Sequence, residues 1–126
     1  MKLKAIRSGR LSPPVGPFSQ AIQIADFIFL SGQVGQDPEN GRLVEGGLEQ
    51  QARQIFSNVS AVLEAAGKSL ADVVRVGVFL TDMADFAALN AVYAQYFEQP
   101  YPARTTVAVA ALPLGATVEI DIVARA

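Results

Sequence analysis

The chain has 126 residues, about one domain's worth, with 51% hydrophobic and 17% charged side chains, which is enough apolar material for a core and rules out intrinsic disorder. Ten Lys and Arg against twelve Asp and Glu leave a net charge of −2. The field that draws phosphate backbones or anionic lipid is therefore missing, which argues against nucleic acid and membrane as partners.

Two absences narrow the chemistry further: there is no His and no Cys. The usual zinc sites, the Ser-His-Asp and Cys-His nucleophiles and histidine acid–base catalysis cannot be built. Catalysis must rest on carboxylates, Tyr, Lys, Arg, hydroxyls and backbone groups. With no disulfide possible, a reducing, cytoplasmic compartment is the expectation. The opening MKLKAIRSGRLSPP has basic residues without the apolar run of a signal peptide, and no stretch is long enough to span a bilayer.

In chain order, Ser12-Pro13-Pro14 and Gly16-Pro17-Phe18-Ser19 form a stiff first loop. Gln20 to Val34 reads as two strands broken at Ala25-Asp26, the second running Phe27 to Val34. Asp37-Pro38-Glu39-Asn40-Gly41 is a turn, since Pro presets φ and Asn-Gly tolerates positive φ, and a hairpin-like excursion follows. Leu48, Ala52, Ile55, Phe56, Val59, Val62, Leu63 and Ala66 recur at helical spacing and predict an amphipathic helix ending at Gly67. Ser69 and Asp72 are placed to cap a short turn before a strand over Val73–Leu80, with Val74, Val76, Val78 and Leu80 as its apolar face. Phe86, Leu89, Asn90, Tyr93, Tyr96 and Phe97 predict a second helix, stopping before Pro100. Strands at Arg104 to Ala110 and Thr117 to Arg125 close the chain around Leu112-Pro113-Leu114-Gly115.

This order gives an α+β domain over residues 1–126, a mixed sheet with two main helices on one face. In the last strand Val118, Ile120, Ile122 and Ala124 alternate with Glu119, Asp121, Val123 and Arg125, so one face is apolar and the other carries charge. The face away from the helices is expected to hold Glu119, Asp121, Arg75 and the Thr-rich start of the Arg104 strand. Val107, Val109 and Val123, or Phe27 and Phe29, would make it too apolar for open solvent. Other copies of the chain are the expected cover, and clefts between copies are where small-ligand pockets form.

Arg104, behind Tyr101-Pro102-Ala103, presents a planar fork suited to a carboxylate; a structural ion pair is the other reading. Glu119, if partly desolvated, can act as a base or orient water, or it is a plain strand carboxylate. Asp121 shares that face and reads as a surface or interface charge. Asn90 interrupts an aromatic stripe and must find partners if buried. Ser31-Gly32-Gln33 puts a glycine in a strand, where a ligand or a neighbouring chain can approach closely or a bulge can form. No phosphate-binding glycine loop or dinucleotide fingerprint is present.

Together, Gly16-Pro17-Phe18-Ser19-Gln20, Ser31-Gly32-Gln33-Val34, the Gln51 to Gly67 helix, Val78-Phe79-Leu80, Asn90 with Tyr93, Pro102-Ala103-Arg104-Thr105 and Val118-Glu119-Ile120 resemble the RidA/YjgF family of reactive intermediate deaminases. The similarity runs from about Gly16 to the C-terminus. It implies a chorismate-mutase-like fold, a homotrimer with clefts between subunits, and hydrolysis of 2-imino or 2-enamino acids to 2-keto acids and ammonia without a cofactor or metal. By the same resemblance Arg104 binds the substrate carboxylate with backbone help near Gly32 and Thr106, Glu119 positions water, and Phe18, Ser31 and Asn90 shape the cleft. The guanidinium and the carboxylate would meet from neighbouring C-terminal strands. Two positions depart from the family: Phe18 stands where Tyr is common, which removes a hydroxyl, and Thr106 where Cys is frequent. Two alternatives stay open, a noncatalytic trimer binding small carboxylates and an RNA-cleaving or translation-inhibiting protein.

Overall fold

A computed structural model describes every residue from Met1 to Ala126. Six strands and two α-helices follow one another as β1 (Lys4–Ile6), β2 (Ala21–Ile24), β3 (Phe27–Gln33), α1 (Gly47–Ala65), β4 (Val73–Leu80), α2 (Phe86–Tyr96), β5 (Ala103–Ala108) and β6 (Val118–Arg125). They form one mixed sheet in the order β1-β2-β3-β6-β4-β5, the α+β arrangement expected. No helix is long and apolar enough to cross a membrane.

Helix α1 forms where the apolar residues recur every three to four positions, and that stripe, from Leu48 through Phe56 to Leu63, is buried. Two buried polar residues on the same stripe are satisfied: Gln51 accepts from the Thr117 backbone at 2.9 Å, and Asn58 donates to the Gln36 carbonyl at 2.9 Å. The helix stops at Gly67, whose φ of 73° lets the chain turn. Gly67 donates to Glu64 and Lys68 to Leu63, both at 2.9 Å, the paired closure that a left-handed residue after a helix permits. Ser69 and Asp72 then cap each other's backbone around a 3-10 turn at Leu70–Asp72, as their spacing predicts.

Strands β4 and β5 are parallel, and every other neighbouring pair is antiparallel. Parallel neighbours need a crossover, and α2 supplies it. Val76, Val78, Leu80, Val118, Ile120, Ile122 and Ala124 point under the helices and are buried. Phe56, fully buried, joins the two helices: its ring lies 4.6 Å from Tyr96, 5.6 Å from Phe97 and 6.2 Å from Tyr93, centroid to centroid.

Three expectations change. Lys4–Ile6 forms an edge strand that sequence patterning did not reveal. Val74 is not on the apolar face: a register shift between Val73 and Arg75 turns it outward, and Val73 is buried in its place. The Arg104 strand does not lie beside the Glu119 strand, because β4 runs between them.

The outer face carries Phe27, Phe29 and Val107, each at least 40% exposed, an apolar area large for an open surface.

Phe56→Ala should cost about 3–5 kcal/mol, and Phe56→Leu much less because most of the volume is kept. Urea denaturation at fixed protein concentration measures both. Equal losses would show that the ring is not the wedge between the helices.

Candidate active site

Strand β5 is an edge strand held in register by β4, with Val76 opposite Arg104 and Val78 opposite Thr106. Partners in a sheet share a face, so Arg104 and Thr106 lie on the helix side, and Thr105 between them faces out. This corrects the expectation that the start of this strand belongs to the outer face as a whole. The Arg104 guanidinium carbon stands 4.7 Å above the Tyr93 ring and 5.7 Å above Phe86. The ring faces attract the cation and hold its plane. The salt bridges of the chain join Arg10 to Glu64, Arg53 to Glu49 and Arg125 to Asp72; none involves Arg104, so the structural ion pair that spacing left open is not formed.

Around this cation three polar atoms are enclosed without any hydrogen-bond partner: Asn90 Oδ1, Tyr93 OH and Thr106 Oγ1. Asn90 and Tyr93 are one turn apart on α2, and Thr106 is two residues beyond Arg104. Leaving such groups unpaired costs on the order of 1–3 kcal/mol each, so their grouping near an unpaired guanidinium marks a place for a polar ligand whose anionic end meets the guanidinium and hydroxyls, and which brings a donor to the Asn90 oxygen. The sequence places Tyr93 in the second-helix pattern and in the family motif without a role at the site, because an aromatic at helical spacing reads as core. Burial pushes its phenol above the ordinary value, and the nearby Arg104 charge pulls the other way.

Glu119 occupies a different cleft, of about 620 Å³, whose lining includes Phe18, Gly32, Gln33, Val34 and Leu114. The carboxylate folds back over Gly32, where a Cβ would come within 2.8 Å of Glu119 Oε2. Glycine at this position is thus what lets the side chain lie against the strand. Ser31 does not line the cleft; its hydroxyl donates to the Ser19 carbonyl at 2.6 Å and pins the loop that carries Phe18. The Phe18 ring, 54% exposed, forms the rim. A second groove of about 620 Å³ near Asp72, Tyr101 and Arg125 holds none of the residues expected to carry chemistry.

The structure therefore gathers the expected residues in two groups, Phe18, Gly32 and Glu119 in one and Asn90, Arg104 and Thr106 in the other. Glu119 pairs with Phe79 on β4 and points outward; Arg104 pairs with Val76 and points inward. Two strand spacings and three residues of offset separate their Cα atoms by about 14 Å, on opposite faces. Within one chain the two groups do not meet. No group of three or more His, Cys, Asp or Glu side chains converges to hold a metal.

Burial first, and then the charge of Asp121, push the Glu119 carboxyl above its ordinary value. A raised folded-state value means that this group favours the folded state below its unfolded pKa, and that the benefit is lost as pH rises through the folded one. Glu119→Gln, which cannot ionise, should therefore melt above wild type at pH 7. The gap should close as pH is lowered through the ordinary carboxylate range, measured by calorimetry at fixed protein concentration. The opposite trend would mean that a cation from another copy of the chain lies close enough to Glu119 to outweigh its burial.

Residues 9–126 match the family model described as Endoribonuclease L-PSP. A RutC family protein of Pyrococcus horikoshii is 49% identical over 111 residues, covering 88% of each chain. A protein of Dermatophagoides farinae named 2-iminobutanoate/2-iminopropanoate deaminase is 44% identical over 122 residues, covering 96% of this chain and 95% of its own. Among solved structures, RidA from an Antarctic Psychrobacter superposes with a TM-score of 0.93 at 46% identity, over 98% of this chain and 99% of that one. TdcF of E. coli, solved with bound serine, gives 0.90 at 36% identity over 98% of each. Matches of this identity over nearly the whole chain, on the fold described above, show that the chain belongs to the Endoribonuclease L-PSP family, the RidA/YjgF proteins.

Proposed function

We propose that the protein is a hydrolase that converts reactive 2-imino and 2-enamino acids to 2-keto acids and ammonia, in clefts formed between copies of the chain assembled as a homotrimer. The observation that carries this reading is the state of Arg104. It is half-buried, stacked on Tyr93, ringed by unpaired polar atoms and without a carboxylate partner in its own chain. A substrate carboxylate satisfies the fork, and a second copy brings its Glu119 to the reacting carbon, since one chain cannot.

The chemistry asks little of the protein. A protonated imine is already electrophilic, so holding water beside its carbon supplies much of the acceleration. Glu119 takes a proton from the attacking water as the C–O bond forms, giving a carbinolamine. The proton passes to the nitrogen, the C–N bond breaks with its electron pair leaving on nitrogen as ammonia, and the hydroxyl proton passes to that ammonia as the keto group forms. The balance is one iminium acid and one water to one keto acid and one ammonium. A carboxyl with a raised pKa suits a group that both accepts and returns a proton near neutral pH. Thr106 and the backbone around Gly32 help hold the carboxylate end, and Asn90 closes the side.

Relatives support the reading unevenly. Proteins of Dermatophagoides farinae and Bos taurus carry the deaminase name, whereas the one from Pyrococcus horikoshii carries only the RutC family name. A relative solved with bound serine held an amino acid, whose carboxylate is the group assigned here to Arg104. The phenyl ring of Phe18 offers no hydroxyl to substrate or water, which leaves proton handling to Glu119.

Imines generated by an amino-acid oxidase or a dehydratase should decay faster with the purified protein than in buffer. Arg104→Ala should lower kcat/KM by roughly 10²- to 10³-fold through loss of a charge-assisted fork. Glu119→Gln should lower kcat by about 10²-fold or more with little change in KM. A wild type that binds keto acids without accelerating imine decay would make the protein a carboxylate-binding trimer instead. RNA cleavage lost in Arg104→Ala, with no imine hydrolysis, would favour the ribonuclease reading.

A further inference from the structure

Glu119 has a companion that the proposed reaction leaves unused. Asp121 lies two residues along β6 on the same outer face, about 7 Å away at the Cα atoms. It is half-buried, and its side chain folds onto Gly77, where a Cβ would collide with Asp121 Oδ1. Two glycines on two flanking strands thus let two carboxylates lie flat against the sheet instead of reaching into solvent. The chain spends a side chain at Gly32 and another at Gly77 to seat them.

The cations of that face are engaged elsewhere. On β4, Arg75 donates to Thr105 Oγ1 at 2.9 Å; on β6, Arg125 donates to Asp72 Oδ1 at 2.9 Å. The outward residues of β3 and β5, Phe27, Phe29, Ser31, Thr105 and Val107, are uncharged, and Glu119 is the sole ionisable residue lining its cleft. Asp121 is thus the one charge that acts on Glu119 within the chain, and burial of both weakens the screening between them.

We propose that Asp121 is a positioning residue that acts through Glu119: its charge, seated over Gly77 on the same face, adds to the burial of Glu119 and moves the pH at which Glu119 exchanges its proton, and with it the pH range in which the cleft works. Burial is the larger cause that raises Glu119, and the Asp121 charge adds to it in the same direction, as this geometry requires. The inference rests on the reading of Glu119 as the group that handles water. Asp121 itself touches no substrate in this account.

The test uses the full chain. Side-chain carboxyl carbons are followed by NMR across pH in wild type, Asp121→Asn and Asp121→Glu, with the Glu119 resonance assigned by its loss in Glu119→Gln. In Asp121→Asn, which keeps the shape over Gly77 and removes the charge, the Glu119 midpoint should fall. In Asp121→Glu it should stay on the wild-type side. The acidic limb of kcat/KM for imine hydrolysis should move to lower pH together with that midpoint. An unmoved midpoint in Asp121→Asn overturns the inference, as does a moved midpoint with an unmoved limb. Should Asp121→Asn fail to fold, the wild-type titration decides. The Glu119 midpoint should lie above that of an ordinary glutamate and fall when added salt screens the neighbouring charge, and a midpoint that salt does not move contradicts the coupling. A wild type inert toward imines removes the proposed reaction, and the carboxyl titration still decides whether Asp121 governs Glu119.

Discussion

Side chains alternate across a strand, and β4 acts as the ruler that fixes which alternate positions matter. Val76 faces Arg104 on one side of it, and Phe79 faces Glu119 on the other. One of these rows points under the helices and the other points away. The odd offset of three residues between the two rows therefore places a guanidinium and a carboxylate on opposite faces of a sheet only one residue thick. No side-chain rotation crosses that barrier, because the core packed by Val76, Val78 and Ile120 lies in the way. The proposed function follows from that separation: in it each chain carries two half-sites, and another copy completes each one.

Each half is prepared in a way that a solitary chain does not use. The Tyr93 ring holds Arg104 in place, and Phe56 in turn holds α2 and Tyr93. Asn90 Oδ1, Tyr93 OH and Thr106 Oγ1 have no partners, an arrangement that weakens the folded chain and is retained where a ligand satisfies it. On the other face, glycines at 32 and 77 accept two carboxylates, and Ser31 anchors the loop whose Phe18 rims the cleft. Polar groups sit ready on an outer surface that also bears Phe27, Phe29 and Val107, the kind of mixed, partly apolar face that association covers. In the proposed reaction the fold supplies placement, and little chemistry is asked of any single residue.

Much of this was legible before the structure. The alternation of Val118, Ile120, Ile122 and Ala124 and the helical spacing from Leu48 to Ala66 are local patterns, and local patterns survive without tertiary context. Ser69 and Asp72 announced their reciprocal cap for the same reason. What failed to show depends on distant pairings. Lys4–Ile6 is three residues long and becomes a strand only because β2 lies beside it. Val74 turns outward because β4 shifts register against β6, which the Val-Val repeat cannot reveal. The face of Arg104 is set by a parallel pairing across an entire helix. Tyr93 was hidden because its spacing suits the core, where it does sit, while its ring does a second task beneath a cation. Arg104 and Glu119 themselves stood out less by position than through the family resemblance, which their surrounding motifs carried.

The central claim is that the guanidinium of one copy and the carboxylate of another share a site. Arg104→Ala and Glu119→Gln each leave a chain lacking one half, and co-expression of the two tests the claim directly. With random assembly, about one pairing in four joins an intact Arg104 to an intact Glu119, so the mixture should recover about a quarter of the wild-type rate per site. A mixture no more active than its two parents would contradict the account.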